Sequence, residues 1–376
     1  MLPSAGFVVD AGKIPVRNAW YLLLYAWDLA RWKDRWNASP ESAPNLLGLL
    51  ARVLVECTSD LLRRQLSRSH QVAVRETNGI RGRIDFATSL KRMSFISGRS
   101  VCAFPELTVD TNRNRLIRAT LDMLLTDPRV EAGSSREHVL ALRHDIRALL
   151  SKLEGVSSIR IQAADFNAVQ LGRNDDSYRL PLELCRLINR CEMPTEAPGD
   201  QVMGALVRDE IVFSSLFERF VRAFLKQALP DATVTSETLS WHDDVGSRFA
   251  PRMRTDITIE HKATDTRLVI DTKYYAHALS SRYDSVEKFH SAHLYQLYAY
   301  LRTQEHRGDR FRNCPGILLY PTTSSIIDER MRVQGHDIRV ATIDLAKPWT
   351  DIERDLLAVA GTMASGPAPV PSTTAG

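Results

Sequence analysis

Arg254-Thr-Asp-Ile-Thr-Ile-Glu260 and, one short turn later, Arg267-Leu-Val-Ile-Asp-Thr-Lys273 decide how this chain is read. In the first stretch Ile257 and Ile259 alternate with Asp256, Thr258 and Glu260, the pattern of a half-buried strand. The second begins with an unbroken apolar run, Leu268-Val269-Ile270, of the kind found in strands covered on both faces. It stops abruptly at Asp271 and Lys273. A period of two puts those two side chains on one face, with Thr272 opposite. A core strand thus delivers a carboxylate and an ammonium together where it leaves the interior. The neighbouring strand can bring Asp256 to the same place. A lone D-x-K serves a surface ion pair equally well, Asp271 with Lys273 or Arg254. The apolar run before Asp271 tilts the reading towards a built site, because a carboxylate at the end of a core strand is costly without a compensating partner.

Two carboxylates held close together repel unless a cation lies between them. Oxygen ligands of this kind suit Mg²⁺, which keeps several waters and binds phosphate oxygens. Phosphodiester hydrolysis uses those parts, and Lys273 is placed to stabilise developing negative charge or to orient the attacking water. The backbone carbonyl of Thr272 is a further candidate ligand beside Asp256 and Asp271. Two helical residues are weaker candidates. Glu218 lies on an apolar helix (LFERFVR) where pairing with Arg222 one turn on is the plainer reading. Gln296 lies one turn before Tyr300 in HLYQLYAYL, where the aromatics also read as core. Glu287, His290 and His293 share a helix face, but no convincing further ligand makes them a zinc site. Arg248, Arg252 and Arg254 approach the carboxylate strand and could hold phosphates. A second basic region comprises Arg81, Arg83, Arg113, Arg115 and Arg118, for which a solvated charged face is the simpler explanation.

Outward from this centre the second half reads as helix 208–229, strand-like runs 233–239, 254–260 and 267–273, helix 285–303, strands 316–320 and 338–343, and helix 349–360. This predicts a mixed sheet flanked by helices. The first half reads as mostly helical: 14–32 with Asn18 as its cap, 46–66, 113–125, 138–153 and 182–189. It is interrupted by a β-containing excursion at 70–112, where QVAVRET and GRIDF flank the Asn78-Gly79 turn signal. The Pro/Gly-containing stretch MPTEAPGD at 193–200 marks the expected boundary. The expected organisation is an N-terminal domain 1–195, a second domain 196–364 and a disordered tail 365–376 (GPAPVPSTTAG ends the chain).

The 376 residues are 44% hydrophobic and 25% charged, ordinary globular proportions that exclude a fibre or a wholly disordered chain. The formal charge is +4, which permits nucleic-acid binding without demanding it. Five cysteines with no C-x-x-C argue against a disulfide framework or a zinc ribbon. The most apolar stretch, Trp20 to Trp27, is too short to span a bilayer, and no leader pattern is read. A cytoplasmic protein without a membrane segment is the expectation. No P-loop and no G-x-S-x-G is present, which lowers triphosphatase and serine-hydrolase readings.

Several segments, in shared order over most of the chain, resemble the McrC family, the nuclease subunits of McrBC-type modified-cytosine restriction systems. They are Ile14-Pro-Val-Arg-Asn18 followed by YLLLYAW, Ile80-Arg-Gly-Arg-Ile-Asp-Phe86, Asn114-Arg-Leu-Ile-Arg-Ala-Thr-Leu121, Pro251-Arg-Met-Arg-Thr-Asp-Ile257, Asp271-Thr-Lys-Tyr-Tyr275, Glu287-Lys-Phe-His290 and Leu294-Tyr-Gln-Leu297. The resemblance implies an α+β chain with a C-terminal PD-(D/E)xK nuclease domain. The family's catalytic acids and lysine fall on Asp256, Asp271 and Lys273. Thr255 stands where the motif's proline would be. Glu218 and Gln296 resemble the helix acid and the Q-x-x-x-Y element of related nucleases. The resemblance further implies a hexameric AAA+ GTPase partner, McrB, which uses the GTP and reads the DNA. It implies Mg²⁺-dependent cleavage of double-stranded DNA and an N-terminal region that enters the partner's ring, for which 70–112 is the candidate. The alternative is an adaptor that activates the AAA+ partner and holds DNA without cutting it.

Overall fold

The computed structural model describes residues 9, 13–30, 45–131, 134–172, 175–190, 210–241, 249–274, 291–324 and 326–361. The chain divides into two units, one formed by Met1–Leu46 with Met193–Gly376, the other by Leu47–Glu192. Helix α1 (Val16–Ala26) opens the first unit. The inserted unit carries α2 (Leu46–Arg64), β1 (Ser69–Asn78), β2 (Arg83–Ile84), α3 (Phe86–Lys91), β3 (Arg99–Thr108), α4 (Asn112–Thr126), α5 (Arg136–Lys152), α6 (Ala163–Asn167) and α7 (Asp176–Arg190). The first unit resumes with α8 (Glu210–Ala228), β4 (Ala232–Thr235), β5 (Thr238–Leu239), β6 (Met253–Arg254), β7 (Ile257–His261), β8 (Thr266–Thr272), α9 (Ser291–Arg302), α10 (Asp309–Arg312), β9 (Gly316–Thr322), β10 (Asp328–Val333), β11 (His336–Asp344) and α11 (Trp349–Gly361). The fold is α+β.

In the inserted unit β1 and β3 form an antiparallel ladder from Ser69↔Thr108 to Asn78↔Arg99, with β2 on the other side of β3. The Asn78-Gly79 signal is a turn, with Gly79 at φ 95°. Gly82 is required twice over. Its φ is 70°, and a Cβ there would stand 2.5 Å from the Ala103 carbonyl oxygen. β1 is largely solvent-facing on both sides, so the alternation of QVAVRET leaves Val72 and Val74 exposed rather than marking a buried face.

The first unit is built on a mixed sheet ordered β10-β11-β9-β8-β7-β4, in which β8–β9 and β9–β11 are parallel and the remaining pairs antiparallel. The apolar run of β8 takes an interior position, as read from sequence, with Ile257 opposite Ile270 and Asp271 opposite Leu318. The first stretch differs from expectation. It is broken at Thr255–Asp256 between β6 and β7, and Thr258 is fully buried, so β7 is covered on both faces at its start. β10 was not anticipated. It is a charged edge strand (DERMRV) joined to β11 by Gln334-Gly335 at φ 47° and 97°, the pair of positive values a tight hairpin turn demands.

Two further expectations are corrected. A single cut near 195 does not describe the chain, because α1 belongs to the unit that holds the large sheet. Tyr25 meets Phe220 and Phe224 of α8 at 5.8 and 5.7 Å between ring centroids, and Tyr21 meets Trp349 at 4.9 Å. An aromatic face of that size must be buried, and α8 and α11 supply the partner surface. The expected linker 193–200 and the tail 365–376 lie outside the described residues. Asn18 does not cap α1, whose N-cap is Pro15. Asn18 is buried, and its amide donates to the carbonyls of Leu345 and Lys347, both at 2.8 Å.

Candidate active site

β8 leaves the core at Asp271. Val269 and Ile270 are buried, and the ladder continues one residue further through the Lys273 N–H, which donates to the Leu319 carbonyl at 2.9 Å. The backbone around Asp271 is therefore fixed from both neighbouring strands. Its side chain has 0% exposure, and neither carboxylate oxygen receives a well-directed hydrogen bond from the described residues. The Lys273 ammonium stands 2.8 Å from Oδ2 as an ion pair, off the hydrogen-bonding direction. The shared face expected of these two residues is thus what the strand presents.

Asp256 arrives from the break between β6 and β7. The break is pinned by reciprocal bonds: Thr255 N–H donates to the Glu237 carbonyl and Glu237 N–H to the Thr255 hydroxyl, both at 2.9 Å. The Thr255 hydroxyl also pairs with that of Thr258 at 2.9 Å. Asp256 Oδ2 accepts from both the N–H and the hydroxyl of Thr272 at 2.8 Å each. Oδ1 takes no hydrogen bond from the described residues. Thr272, expected to matter through its carbonyl, here grips the neighbouring acid through its other polar groups.

Burial pushes the Asp271 carboxyl up to about 7, the Lys273 ammonium pulling it down and the Asp256 and Glu218 charges pushing it up. Burial alone would depress Lys273, but the Asp271 carboxylate outweighs it and holds the ammonium above its ordinary range. Glu218 pairs with Arg222, as its spacing allowed, and Arg222 also donates to the Asp256 carbonyl at 3.1 Å. That second bond ties α8 to the strand break and has no signal in the sequence. Among the described residues Gln296 reaches the site through Tyr300, donating to its hydroxyl at 2.5 Å. Burial raises the Tyr300 phenol, the Gln296 bond lowers it, and the Asp271 and Asp256 charges raise it further, so this ring lies within the field of both acids.

Other expected groups fall elsewhere. His293 is buried and its Nδ1 pairs with the Tyr320 hydroxyl at 2.8 Å, while Glu287, His290 and Arg248 lie outside the described residues. Arg252 and Arg254 are exposed. The second basic region is not one surface. Arg113 pairs with Asp175 at 2.6 Å and Arg115 with Asp110 at 2.7 Å, and Arg118 donates to the carbonyls of Leu153 and Val156. Arg81 lies over the Phe104 ring at 4.1 Å. These arginines knit the inserted unit together. The described cysteines, Cys57, Cys102, Cys185 and Cys314, are buried and form no disulfide with one another.

Among the described residues no group of three or more His, Cys, Asp or Glu side chains forms a metal cage. The donor set is instead two carboxylates, each with one oxygen that takes no partner from the described residues, and the Asp271 carboxylate is wholly buried. That fits a hard divalent cation which retains waters and takes the rest of its shell from substrate. No helix among the described residues is long and apolar enough to cross a membrane.

The family model described as McrBC 5-methylcytosine restriction system component matches residues 18–321. The type IV methyl-directed restriction enzyme EcoKMcrBC of Escherichia coli strain K12 is 31% identical over 348 residues, 92% of this chain and 96% of that relative. A chain of the refined half-complex from the tetradecameric assembly of Thermococcus gammatolerans McrB AAA+ hexamers with bound McrC matches with a TM-score of 0.52 at 17% identity, over 93% of this chain and 76% of that one. At that identity the likeness speaks for the fold. A chain of the Thermococcus gammatolerans McrBC complex, seen by cryo-electron microscopy, shares 20% identity with a TM-score of 0.38, covering 58% of this chain and 59% of that one.

Proposed function

Because the chain belongs to the family of McrBC 5-methylcytosine restriction system components, we propose that it is the subunit that cuts DNA, a Mg²⁺-dependent endonuclease working with a hexameric AAA+ GTPase. The observation that carries this reading is Asp271: a fully buried carboxylate whose charge is met, among the described residues, by the single Lys273 ammonium at Oδ2, beside a second acid. A surface ion pair has no need of that burial. Asp256 and Asp271 would hold the cation, with the Thr272 carbonyl as a further ligand. When bound, the cation draws charge from the phosphoryl oxygens and makes water acidic enough to attack at neutral pH. Thr272 keeps Asp256 turned for its task through two bonds to one oxygen. Lys273 places positive charge where the phosphate gains negative charge, in a half-buried setting that strengthens the interaction. Glu218 and Gln296 act at one remove, through Arg222 and Tyr300.

Double-stranded DNA is the proposed substrate and the cytoplasm the proposed location. GTP would be used by the partner, the kind of AAA+ hexamer that the Thermococcus assembly pairs with McrC. The exposed apolar side chains of the excursion at 70–112, among them Val72, Val74, Ile80, Phe86 and Ile96, support it as the partner-binding element. The chain is assayed with that partner, GTP and Mg²⁺ on modified and unmodified plasmid. Asp256→Ala, Asp271→Ala and Lys273→Ala each abolish cleavage while assembly and GTPase stimulation persist. An Asp271→Ala chain that cuts at the native rate would refute the site. Deleting residues 76–84 removes GTPase stimulation, and stimulation left intact would refute the role of the excursion. A native chain that stimulates the GTPase and never cuts would instead be the adaptor.

A further inference from the structure

Asp256 stands where the sheet's own ladders stop. The β7–β8 pairing begins at Ile257↔Ile270 and the β5–β6 pairing ends at Thr238↔Arg254, so Thr255 and Asp256 belong to neither. Extending the β7–β8 register by one residue sets Asp256 across from Asp271. The charges of the two acids oppose each other, and a carboxylate on a loose backbone would move away from its like-charged neighbour. Other groups hold the break. The Thr255 N–H donates to the Glu237 carbonyl, and the Thr255 hydroxyl accepts from the Glu237 N–H, both at 2.9 Å. The Thr255 carbonyl accepts from the Ser236 hydroxyl at 2.6 Å, and the Asp256 carbonyl accepts from Arg222 Nη1 at 3.1 Å. That same nitrogen pairs with Glu218, so α8 presents a guanidinium that is already oriented.

Thr255 is fully buried, and its hydroxyl also pairs with that of the fully buried Thr258 at 2.9 Å. In such a place a hydroxyl is costlier than the methyl a valine would supply unless it is bonded. A proline would bring neither the N–H nor the hydroxyl. The bonds that Thr255 does make fix the backbone from which the Asp256 side chain leaves. With the carbonyls of 255 and 256 and the N–H of 255 all held, Thr272 then takes Asp256 Oδ2 through two bonds, and Oδ1 is the oxygen left for a cation. We infer that Thr255 and Arg222 are positioning residues for that cation: they hold Asp256 beside Asp271 against the repulsion between the two acids, so that the ion need not first draw them together. Outer partners of this kind contribute roughly 10- to 100-fold in metal affinity. This inference rests on the proposed nuclease function and assigns what sets the cation's affinity there.

The test measures Mn²⁺ binding to the full chain by electron paramagnetic resonance, in which the signal of the free ion falls as it binds. Binding that Asp256→Asn abolishes is counted as the site's own. In parallel, the Mg²⁺ concentration that half-saturates DNA cleavage is measured for the chain assembled with its AAA+ partner. Thr255→Val keeps the shape and removes the hydroxyl; it should weaken Mn²⁺ binding roughly 10-fold and raise the Mg²⁺ requirement by the same factor. Excess Mg²⁺ should restore most of the rate, and Thr255→Ser should behave like the parent. Arg222→Gln, which frees the other carbonyl, should shift both measurements in the same direction. Ser236→Ala loosens one grip at a half-buried side chain and should give a smaller shift of the same sign, which keeps the test open if Thr255→Val fails to fold. Native Mn²⁺ affinity and Mg²⁺ requirement in Thr255→Val or in Arg222→Gln, while the parent cuts DNA, overturn that residue's assignment and leave the nuclease reading standing. A parent that binds no more Mn²⁺ than Asp256→Asn overturns the inference, and if it also fails to cut DNA with its partner the nuclease reading falls with it.

Discussion

Asp271→Asn should make the metal-free protein more stable while abolishing the proposed cleavage activity. The folded chain carries this carboxyl at about 7 against an ordinary 3.8, chiefly through burial. The side chain has 0% exposure, so no solvent discount applies. A folded value above the unfolded one means that ionisation opposes folding. Below the unfolded value both states are protonated and nothing is lost. As pH rises from about 4 to about 7 the unfolded carboxyl ionises and the folded one does not, so stability falls. Above about 7 the loss is complete, at roughly 4 kcal/mol from about 1.36 kcal/mol per pH unit. Asparagine cannot ionise and escapes the whole of it. The Lys273 attraction is already contained in the raised value, so it is not subtracted again. The advantage of the asparagine variant should be roughly 2 kcal/mol at about pH 5.5, roughly 4 at about pH 8.5, and flat beyond. Urea denaturation of both chains in EDTA at those pH values measures it. Adding Mg²⁺ should then stabilise the parent and leave the variant unmoved. An advantage that is the same at both pH values, or a variant less stable than the parent at pH 8.5, would refute the burial reasoning.

Two structural substitutions probe the scaffold. Asn18→Leu removes both donors to the Leu345 and Lys347 carbonyls, leaving the buried Leu345 acceptor unpaired at about 1–3 kcal/mol and the half-buried Lys347 acceptor at less, and should lower the urea midpoint without changing the slope. An unchanged midpoint would show that water replaces the amide. Gly82→Ala forces a Cβ to within 2.5 Å of the Ala103 oxygen at a positive φ, and should raise amide exchange across β2 and β3. Native exchange rates at Val101 to Phe104 would contradict it.

What was legible in the sequence follows from how much of the answer was local. The run Leu268-Val269-Ile270 ending in Asp271 had one comfortable placement, an interior strand opening at the sheet's rim, and period two then fixed Asp271 beside Lys273. The aromatic spacing of 14–32 gave a helix for the same reason, although α1 covers only Val16–Ala26 of that range. What it buries against was not legible, because α8 lies about two hundred residues away and pattern is silent on partners at that distance. Asn18 was misread for a related reason: an asparagine near a helix start is ordinarily a cap, and only tertiary carbonyls from 345 and 347 could say otherwise. β10 escaped because edge strands carry charges in place of an apolar period. The two bonds from Thr272 to Asp256 escaped because they depend on the pairing of β7 with β8, which no single strand reveals.

The unit that carries the two acids and the lysine is closed by segments far apart in sequence: α1 is stitched to the segment after β11 through Asn18, across 327 residues. Synthesis runs from one end to the other, and domains fold as units when their residues are all present. The inserted unit, continuous from Leu47 to Glu192, is complete while the ribosome is still translating the sheet. The unit that holds the large sheet must wait for the segment at 345–347 before α1 finds its seat. A product broken off before residue 345 would therefore carry a finished inserted unit and an unfinished sheet-bearing one.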